Sequence, residues 1–373
     1  MKITVMHFVE SSDTSGYFPQ LAKWHDRSRF EMHFGTLYPM DPALETTLNS
    51  YGVHCWSTGA RRRVDLPLAV ARLTREIRRR RVGVMHGHLF EPALVAMAAA
   101  RLARVPCRVV TRHHSDYHTR ANKRLHTLVD RFTTRLSTDC IAVSHHTAEI
   151  MMRLEKAPPE KIRVILNGVD ADRILGTRSD SSRQIRREWA DDDTFLMVQV
   201  ARLHPEKGHT HLFNALPDVL RRVERPVRLL VAGEGPWRTE YEKEVQRLGV
   251  EHAVEFLGFR TDAIALMAAA DLVVVPSVAE AFGLVAAEAA LLEVPVVGTR
   301  AGGIPEVLGE DGILVPPGDS RALADAIVRV AHHPPTASNL ASASNRMRTD
   351  FSFARMMGAY EALYTERLSN ASA

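Results

Sequence analysis

The sequence predicts an α/β protein built from two successive Rossmann-like domains, and three observations predict it. Strand-length apolar runs alternate with helical patterns along the chain, which is the pattern of parallel sheets covered on both faces. The alternation occurs in two sets, separated by the polar, Ser-, Arg- and Asp-rich stretch Asp170–Asp193. The chain also has 373 residues, more than one typical core accommodates. Domains are therefore expected at 1–170 and 171–350, with 351–373 as a C-terminal helix that packs back on the first domain. In open parallel sheets ligands bind beyond the carboxyl ends of the strands. Two such domains facing each other would place a site in the cleft between them.

Each element has its own signal. The strand candidates of the first half are Ile3–Phe8, Glu31–Leu37, Gly52–Trp56, Val82–Gly87, Arg108–Arg112, Cys140–Val143 and Arg163–Leu166. Those of the second half are Phe195–Val200, Val227–Ala232, Val254–Leu257, Leu272–Val275, Pro295–Thr299 and Gly312–Val315. Leu66, Val70, Leu73 and Ile77 repeat at helical spacing, with Pro67 near the start and Arg78–Arg81 at the end, where helix geometry and dipole favour them. Tyr117, Ala121, Leu125, Leu128, Phe132 and Leu136 form a second apolar stripe, expected to cover the sheet. The polar patch Pro334–Asn345 precedes a final helix over about Phe353–Leu368.

Composition narrows the function classes. Hydrophobic residues are 45% and charged residues 25%, ordinary for a globular protein. Cys55, Cys107 and Cys140 have neither disulfide-framework nor metal spacing, and read as buried thiols of a reducing compartment. The short N-terminal apolar run is broken by His7 and Glu10, unlike a signal peptide. No run approaches a membrane span, so a cytoplasmic location is expected. Residues 1–170 carry 26 Lys and Arg against 16 Asp and Glu, the remainder 22 against 28. A basic first half suits an anionic partner, either an acidic acceptor or the inner face of a membrane, as well as plain solvated helix faces.

The chemistry concentrates in the second half. In Asp271–Leu308 a buried strand leads into a loop carrying Glu280, then a helix beginning near Phe282–Leu284 and carrying Glu288. Gly283 lets backbone approach a ligand, and the helix start offers amides to a diphosphate or a sugar oxygen. A carboxylate inside the helix can accept from a ribose diol, and one in the loop from sugar hydroxyls. In Val198–Gly208 a strand ends near Ala201, and Arg202 and Lys207 follow in one loop, a fork and a point charge suited to a diphosphate. Gly233-Glu234-Gly235-Pro236 follows another strand but lacks the full dinucleotide fingerprint. Ala301–Glu306 places Gly302 and Gly303 after a strand, where they allow close approach to a ligand or simply a tight turn.

Together these segments resemble the large retaining glycosyltransferase family 4, of GT-B architecture. The ordered set is Arg202…Lys207-Gly208, the Gly233–Pro236 turn, Phe256-Leu257-Gly258, Pro276-Ser277…Glu280-Ala281-Phe282-Gly283-Leu284…Glu288 and Gly302-Gly303-Ile304-Pro305-Glu306. Asn167-Gly168-Val169-Asp170 matches the family's turn at the end of its first domain. The resemblance spans nearly the whole chain and is densest from Val198 to Asp319.

The resemblance implies an NDP-sugar donor, UDP before GDP, and transfer of a hexose or N-acetylhexosamine to an acceptor hydroxyl, in cell-envelope or polysaccharide synthesis. The acceptor is a glycan, a lipid-linked glycan or a small molecule. It implies that Arg202 and Lys207 bind the phosphates and that Glu288 holds the ribose. Glu280 and the amides around Phe282, Gly283 and Leu284 hold the sugar, with Gly233 and Glu234 near the nucleotide. His113 matches a first-domain histidine that reaches the sugar, with His114 the alternative. The family carries two adjacent glycines after its first strand; this chain has Glu10 through Ser15 and the single Gly16, which is expected to supply the close approach. No metal or other cofactor is expected. A zinc reading of His86-x-His88 or His113-His114 lacks a completing ligand, and Asp191-Asp192-Asp193 precedes a strand and reads as solvated. A nucleotide-sugar 2-epimerase and a non-catalytic sugar-nucleotide binder are the alternatives.

Overall fold

The apolar runs become thirteen strands among the described residues, arranged in two wholly parallel sheets. The computed structural model of the chain describes residues 2–11, 16–113, 124–177, 180–309 and 312–372. The first sheet contains β1 (Ile3–Val9), β2 (Phe30–Thr36), β3 (His54–Ser57), β4 (Val84–His88), β5 (Cys107–Arg112), β6 (Asp139–Ala142) and β7 (Ile162–Val164), in the order β3-β2-β1-β4-β5-β6-β7. The second contains β8 (Phe195–Val200), β9 (Val227–Ala232), β10 (Val254–Gly258), β11 (Leu272–Val275), β12 (Val296–Thr299) and β13 (Ile313–Val315), in the order β10-β9-β8-β11-β12-β13. In each sheet the strand order reverses once, between β1 and β4 and between β8 and β11. Such a switch point opens a crevice at the carboxyl ends of the strands.

The chain forms two compact units, one reaching Gly168 and including the final helix Phe353–Ser372, the other spanning Val169–Ser352. The stretch read as a polar connection, Asp170–Asp193, lies inside the second unit and carries the helices Ala171–Leu175 and Asp180–Trp189. Its polarity reflects a mostly solvated surface, with Ile174 and Ile185 buried. The chain instead passes between units at Gly168–Val169 and Ser352–Phe353, where Val169 N–H donates to the Phe351 carbonyl at 2.7 Å. The patch before the last helix also proves helical, as Ala337–Thr349, with the Thr336 hydroxyl accepting from Asn339 N–H at 3.2 Å.

Within the first unit, the final helix lays Phe353, Met356, Met357, Tyr360, Leu363 and Tyr364 on one face of the sheet, against Val5, Val84 and Val109. This i, i+3, i+4, i+7 spacing turns one apolar stripe inward, and each large side chain so buried stabilises the fold by about 1.5–3 kcal/mol. The helices Leu66–Arg80 and Glu91–Ala103 cover the opposite face with Leu73, Ile77, Val95 and Met97. The second unit packs Phe195, Leu229 and Val274 of its sheet against Leu212 and Phe213 of His209–Arg222 and Leu323 and Ile327 of Ser320–His332.

The stripe from Tyr117 to Leu136 corrects the sequence reading. Its first part lies outside the described residues. Over the helix Arg124–Leu136, Leu128 and Phe132 are exposed, while Asp130, Thr133 and Thr134 turn inward. The reason is Arg112, fully buried at the end of β5. Its guanidinium donates to Glu155 at 3.2 Å, to Thr134 Oγ1 at 3.2 Å and to the Asp130 carbonyl at 2.9 Å. Burial opposes its charge, but Glu155 and Asp130 outweigh that and raise its pKa above the ordinary value. A buried guanidinium requires such partners, so the polar face of the helix is the one held inside.

Candidate functional site

In the second unit, the predicted donor residues gather on the loops that leave β8, β9, β11 and β12, four neighbouring strands around the switch point. The loops are held by their backbones. Leu203 N–H donates to the Glu234 carbonyl at 2.9 Å, and Val278 N–H to the Glu206 carbonyl at 2.8 Å. Gly233 has φ +146°, and a Cβ there would stand 1.9 Å from the Ala201 carbonyl oxygen. A Cβ on Gly302, at φ +56°, would stand 1.6 Å from the Glu280 carbonyl oxygen. The glycines read from sequence as room for a ligand thus serve loop-on-loop packing, which fixes Arg202 and Glu280 from beneath.

This packing brings Lys207 and Glu280 together. Lys207 Nζ lies 2.8 Å from Glu280 Oε2, and Ser277 Oγ donates to the same oxygen at 3.2 Å. Both side chains are largely buried, at 18% and 17% exposure. Arg202 is 76% exposed and donates to Glu206 Oε1 at 2.8 Å. Glu206 is largely buried while the guanidinium stands in solvent, where screening weakens the pair and leaves Arg202 able to turn to an arriving anion.

Behind these loops the helix Leu284–Leu291 begins at Gly283, φ +104°, and no side chain caps it. A helix start of this kind offers its first-turn N–H groups as donors. Glu288 lies on its second turn, with Arg173 3.4 Å from Oε1. Burial pushes the Glu288 carboxyl up to about 7, with Arg173 opposing. Leu284 begins the helix and is half-buried.

Three further predicted residues have surroundings of their own. The Phe282 ring is buried and faces Phe351, with centroids 5.8 Å apart, so only its backbone is available to a ligand. Glu234 Oε1 accepts from Phe259 N–H at 3.4 Å, which turns that carboxylate toward the end of β10. Gly16, in the first unit, takes φ +70° at the start of the helix Tyr17–Trp24, and a Cβ there would meet nothing within 4 Å. The left-handed backbone by itself favours glycine there.

His113 follows β5 in the first unit, and its Nε2 lies 3.2 Å from His88 Nδ1. His114 lies outside the described residues. His86 and His88 are fully buried. Sequence reasoning missed Arg173, Ser277 and the group His7, His86 and His88 as partners of site residues. The alternation of His86 and His88 on one strand face was the only usable signal. Asp191, Asp192 and Asp193 are exposed, and Asp191 accepts from Thr194 N–H at 2.8 Å in the turn before β8.

Comparison with known proteins places this geometry. Residues 17–173 match the family described as Glycosyltransferase Family 4, and residues 194–333 the family described as Glycosyl transferases group 1. The chain is 27% identical to the N-acetyl-alpha-D-glucosaminyl L-malate synthase of Bacillus anthracis, over 91% of this chain and 90% of that protein. It is 32% identical to the glycogen synthase of Mycobacterium tuberculosis, over 76% of this chain and 69% of that one. In structure it is similar to Anabaena HepE in complex with UDP and glucose, with a TM-score of 0.82, 24% identity and coverage of 98% and 100%. Two parallel α/β sheets of GT-B type and family matches in both halves lead to one conclusion: the chain belongs to glycosyltransferase family 4 and is a glycosyltransferase.

Proposed function

We propose that the protein is a retaining transferase that moves a hexose or N-acetylhexosamine from a UDP-sugar to an acceptor hydroxyl, with GDP-sugars the second choice. The observation that carries this reading is the Lys207–Glu280 pair, a cation and an acceptor side by side at the switch point of the second sheet. Lys207 and Arg202 take the diphosphate, together with the amides after Gly283. Glu280 and Ser277 then face the sugar hydroxyls, and Glu288 accepts from the ribose diol. The bond from the anomeric carbon to the phosphate oxygen breaks while the acceptor oxygen bonds on the same face. The acceptor proton passes to the departing phosphate oxygen. Cations placed at the phosphates stabilise the charge that grows there in the transition state. This reading requires no metal, and turnover should persist in excess chelator.

The comparisons support the donor class: HepE is seen with UDP and glucose, and the Bacillus relative is named for an N-acetylglucosaminyl product. The acceptor lies with the first unit, whose basic excess suits an anionic molecule or a lipid-linked glycan of envelope or polysaccharide synthesis. Among the described residues no helix is long and apolar enough to cross a membrane. Leu128 and Phe132 stand exposed one turn apart, with Arg131 and Arg135 beside them. They support peripheral contact with an anionic bilayer. The three free thiols fit a reducing, cytoplasmic location.

The test is a panel of UDP-, GDP-, ADP- and dTDP-sugars followed by thermal shift, then NMR of the product anomer. A UDP-sugar should raise the melting midpoint and yield product with the donor's anomeric configuration. Inverted product, or no response to any nucleotide, overturns the reading.

A further inference from the structure

Glu288 lies in a setting that ought to discharge it. It is the one ionisable residue of the helix Leu284–Leu291, set among alanines, and its side chain is 17% exposed. The loop before that helix carries Glu280, which Lys207 neutralises. The elements packed against the helix add little charge. β11, β12 and the helix Ala263–Ala269 contain no ionisable residue. The helix Ile304–Leu308 carries Glu306, and Ala337–Thr349 carries Arg346 and Arg348. Arg346 donates to the backbone carbonyls of Glu306 and Val307, and Arg348 is exposed. The remaining neighbour, the helix Ala171–Leu175, carries Asp172 and Arg173. Of all these groups, Arg173 alone bears on the Glu288 carboxyl.

The fold of its own segment delivers Arg173 to that place. Ile174 is fully buried and anchors the short helix. Asp170 caps it, its carboxylate accepting from Arg173 N–H at 3.4 Å. The Arg173 side chain is 39% exposed and sets Nη2 3.4 Å from Glu288 Oε1, across 115 residues of chain. Among the described residues neither side chain has a second hydrogen-bond partner, so Glu288 Oε2 is uncommitted. A half-open ion pair of this kind adds little to stability. Its effect is on the carboxyl. Burial drives that group toward its neutral form, and it titrates at about 7 with Arg173 in place; a nearby opposite charge favours the ionised form. An ionised carboxylate accepts at both oxygens, whereas the protonated group turns one of them into a donor.

We propose that Arg173 is a positioning residue for Glu288: it occupies Oε1 and keeps the group charged, so that Oε2 stands ready to accept from a hydroxyl of the nucleotide. The link to the nucleotide rests on the role proposed for Glu288 above; the ion pair and its effect on the carboxyl do not. A direct role is the alternative, with the guanidinium on a phosphate of the donor. The two differ in pH dependence, because a phosphate contact persists once Glu288 is fully ionised.

The experiment follows the Glu288 carboxyl by carbon NMR in ligand-free, glutamate-labelled protein, its signal identified by its loss in Glu288→Gln, and UDP affinity by calorimetry over the same pH range. Arg173→Met keeps most of the side chain's length without its charge, and Arg173→Lys keeps the charge. In Arg173→Met the carboxyl should titrate about one pH unit higher than in the wild type. UDP should then bind about fivefold more weakly near neutral pH, because a smaller fraction of the protein is competent, and the difference should close by about pH 9. Arg173→Lys should restore both. A carboxyl that titrates unchanged in Arg173→Met overturns the proposal. A loss of UDP affinity that persists undiminished at high pH assigns Arg173 to the phosphates and overturns it as well. A carboxyl that moves while UDP affinity does not would overturn the link to the nucleotide. Failure of the wild type to bind any nucleotide would instead refute the functional reading and leave the carboxyl result standing.

Discussion

Lys207 and Glu288 show how one residue can serve structure and chemistry together. Lys207 neutralises Glu280 in the unliganded protein and is aimed at the diphosphate in the proposed reaction. Lys207→Ala should lower kcat by roughly 10²–10³, the scale of losing one preorganised donor to developing charge, and steady-state kinetics reads it directly. Glu288 has its folded pKa raised from 4.5 to about 7 by burial. Below 4.5 the carboxyl is protonated whether the chain is folded or not, and burial then carries no charge penalty. As pH rises toward 7 the unfolded chain ionises first, so stability falls across that window and the cost is complete above it. A Glu288→Gln variant should lose this dependence in denaturant melts between acid and neutral pH. The ribose role adds an opposite trend in binding: UDP affinity should rise through neutrality in the wild type and stay flat in Glu288→Gln, as calorimetry can measure. Arg112 and Glu155 make the structural counterpart in the first unit. Glu155→Gln should destabilise it by about 3 kcal/mol, because a buried guanidinium loses its main counter-charge; urea melts check this.

At the scale of elements, the working surface of the second unit is a set of loops fitted to one another. A Cβ at Gly302 would drive into the Glu280 backbone, and the loop after β12 would have to lift away. Gly302→Ala should therefore cost more than the roughly 1 kcal/mol of a left-handed alanine and weaken nucleotide binding as well. Gly16→Ala, with open space around it, should cost only that backbone amount. Melting both variants with and without UDP separates the two cases. Most strands were legible because a parallel strand buried on both faces reads as a continuous apolar run. The helix Arg124–Leu136 was not: its apolar stripe at 128 and 132 faces solvent because Arg112 claims the polar face. Sequence periodicity reports an apolar face but cannot register a buried cation on another strand. The polar helices at 180–189 and 337–349 were missed for a related reason, since they cover the fold with few large apolar side chains.

For the whole molecule, a donor present at 100 times its Kd should stabilise the folded protein by about 2.7 kcal/mol, visible as a raised midpoint that Glu288→Ala abolishes. The charge asymmetry makes a separate prediction. Binding to vesicles containing anionic lipid should exceed binding to neutral vesicles, fall with salt, and weaken in Leu128→Ser, Phe132→Ser. Equal binding to both vesicle types would remove the membrane from the account.

The sequence by itself determined the α/β class, thirteen strand positions close to their final places, and the ordered motif set from Arg202 to Glu306, because these depend on local periodicity and on residue types with few alternative uses. Tertiary structure decided the contacts between distant segments: Lys207 on Glu280, Arg173 on Glu288, His7 and His88 behind His113, and glycines opposed to carbonyl oxygens of other loops. Such partnerships join residues far apart in the chain. They are set by strand register and loop packing, and no local pattern encodes either one.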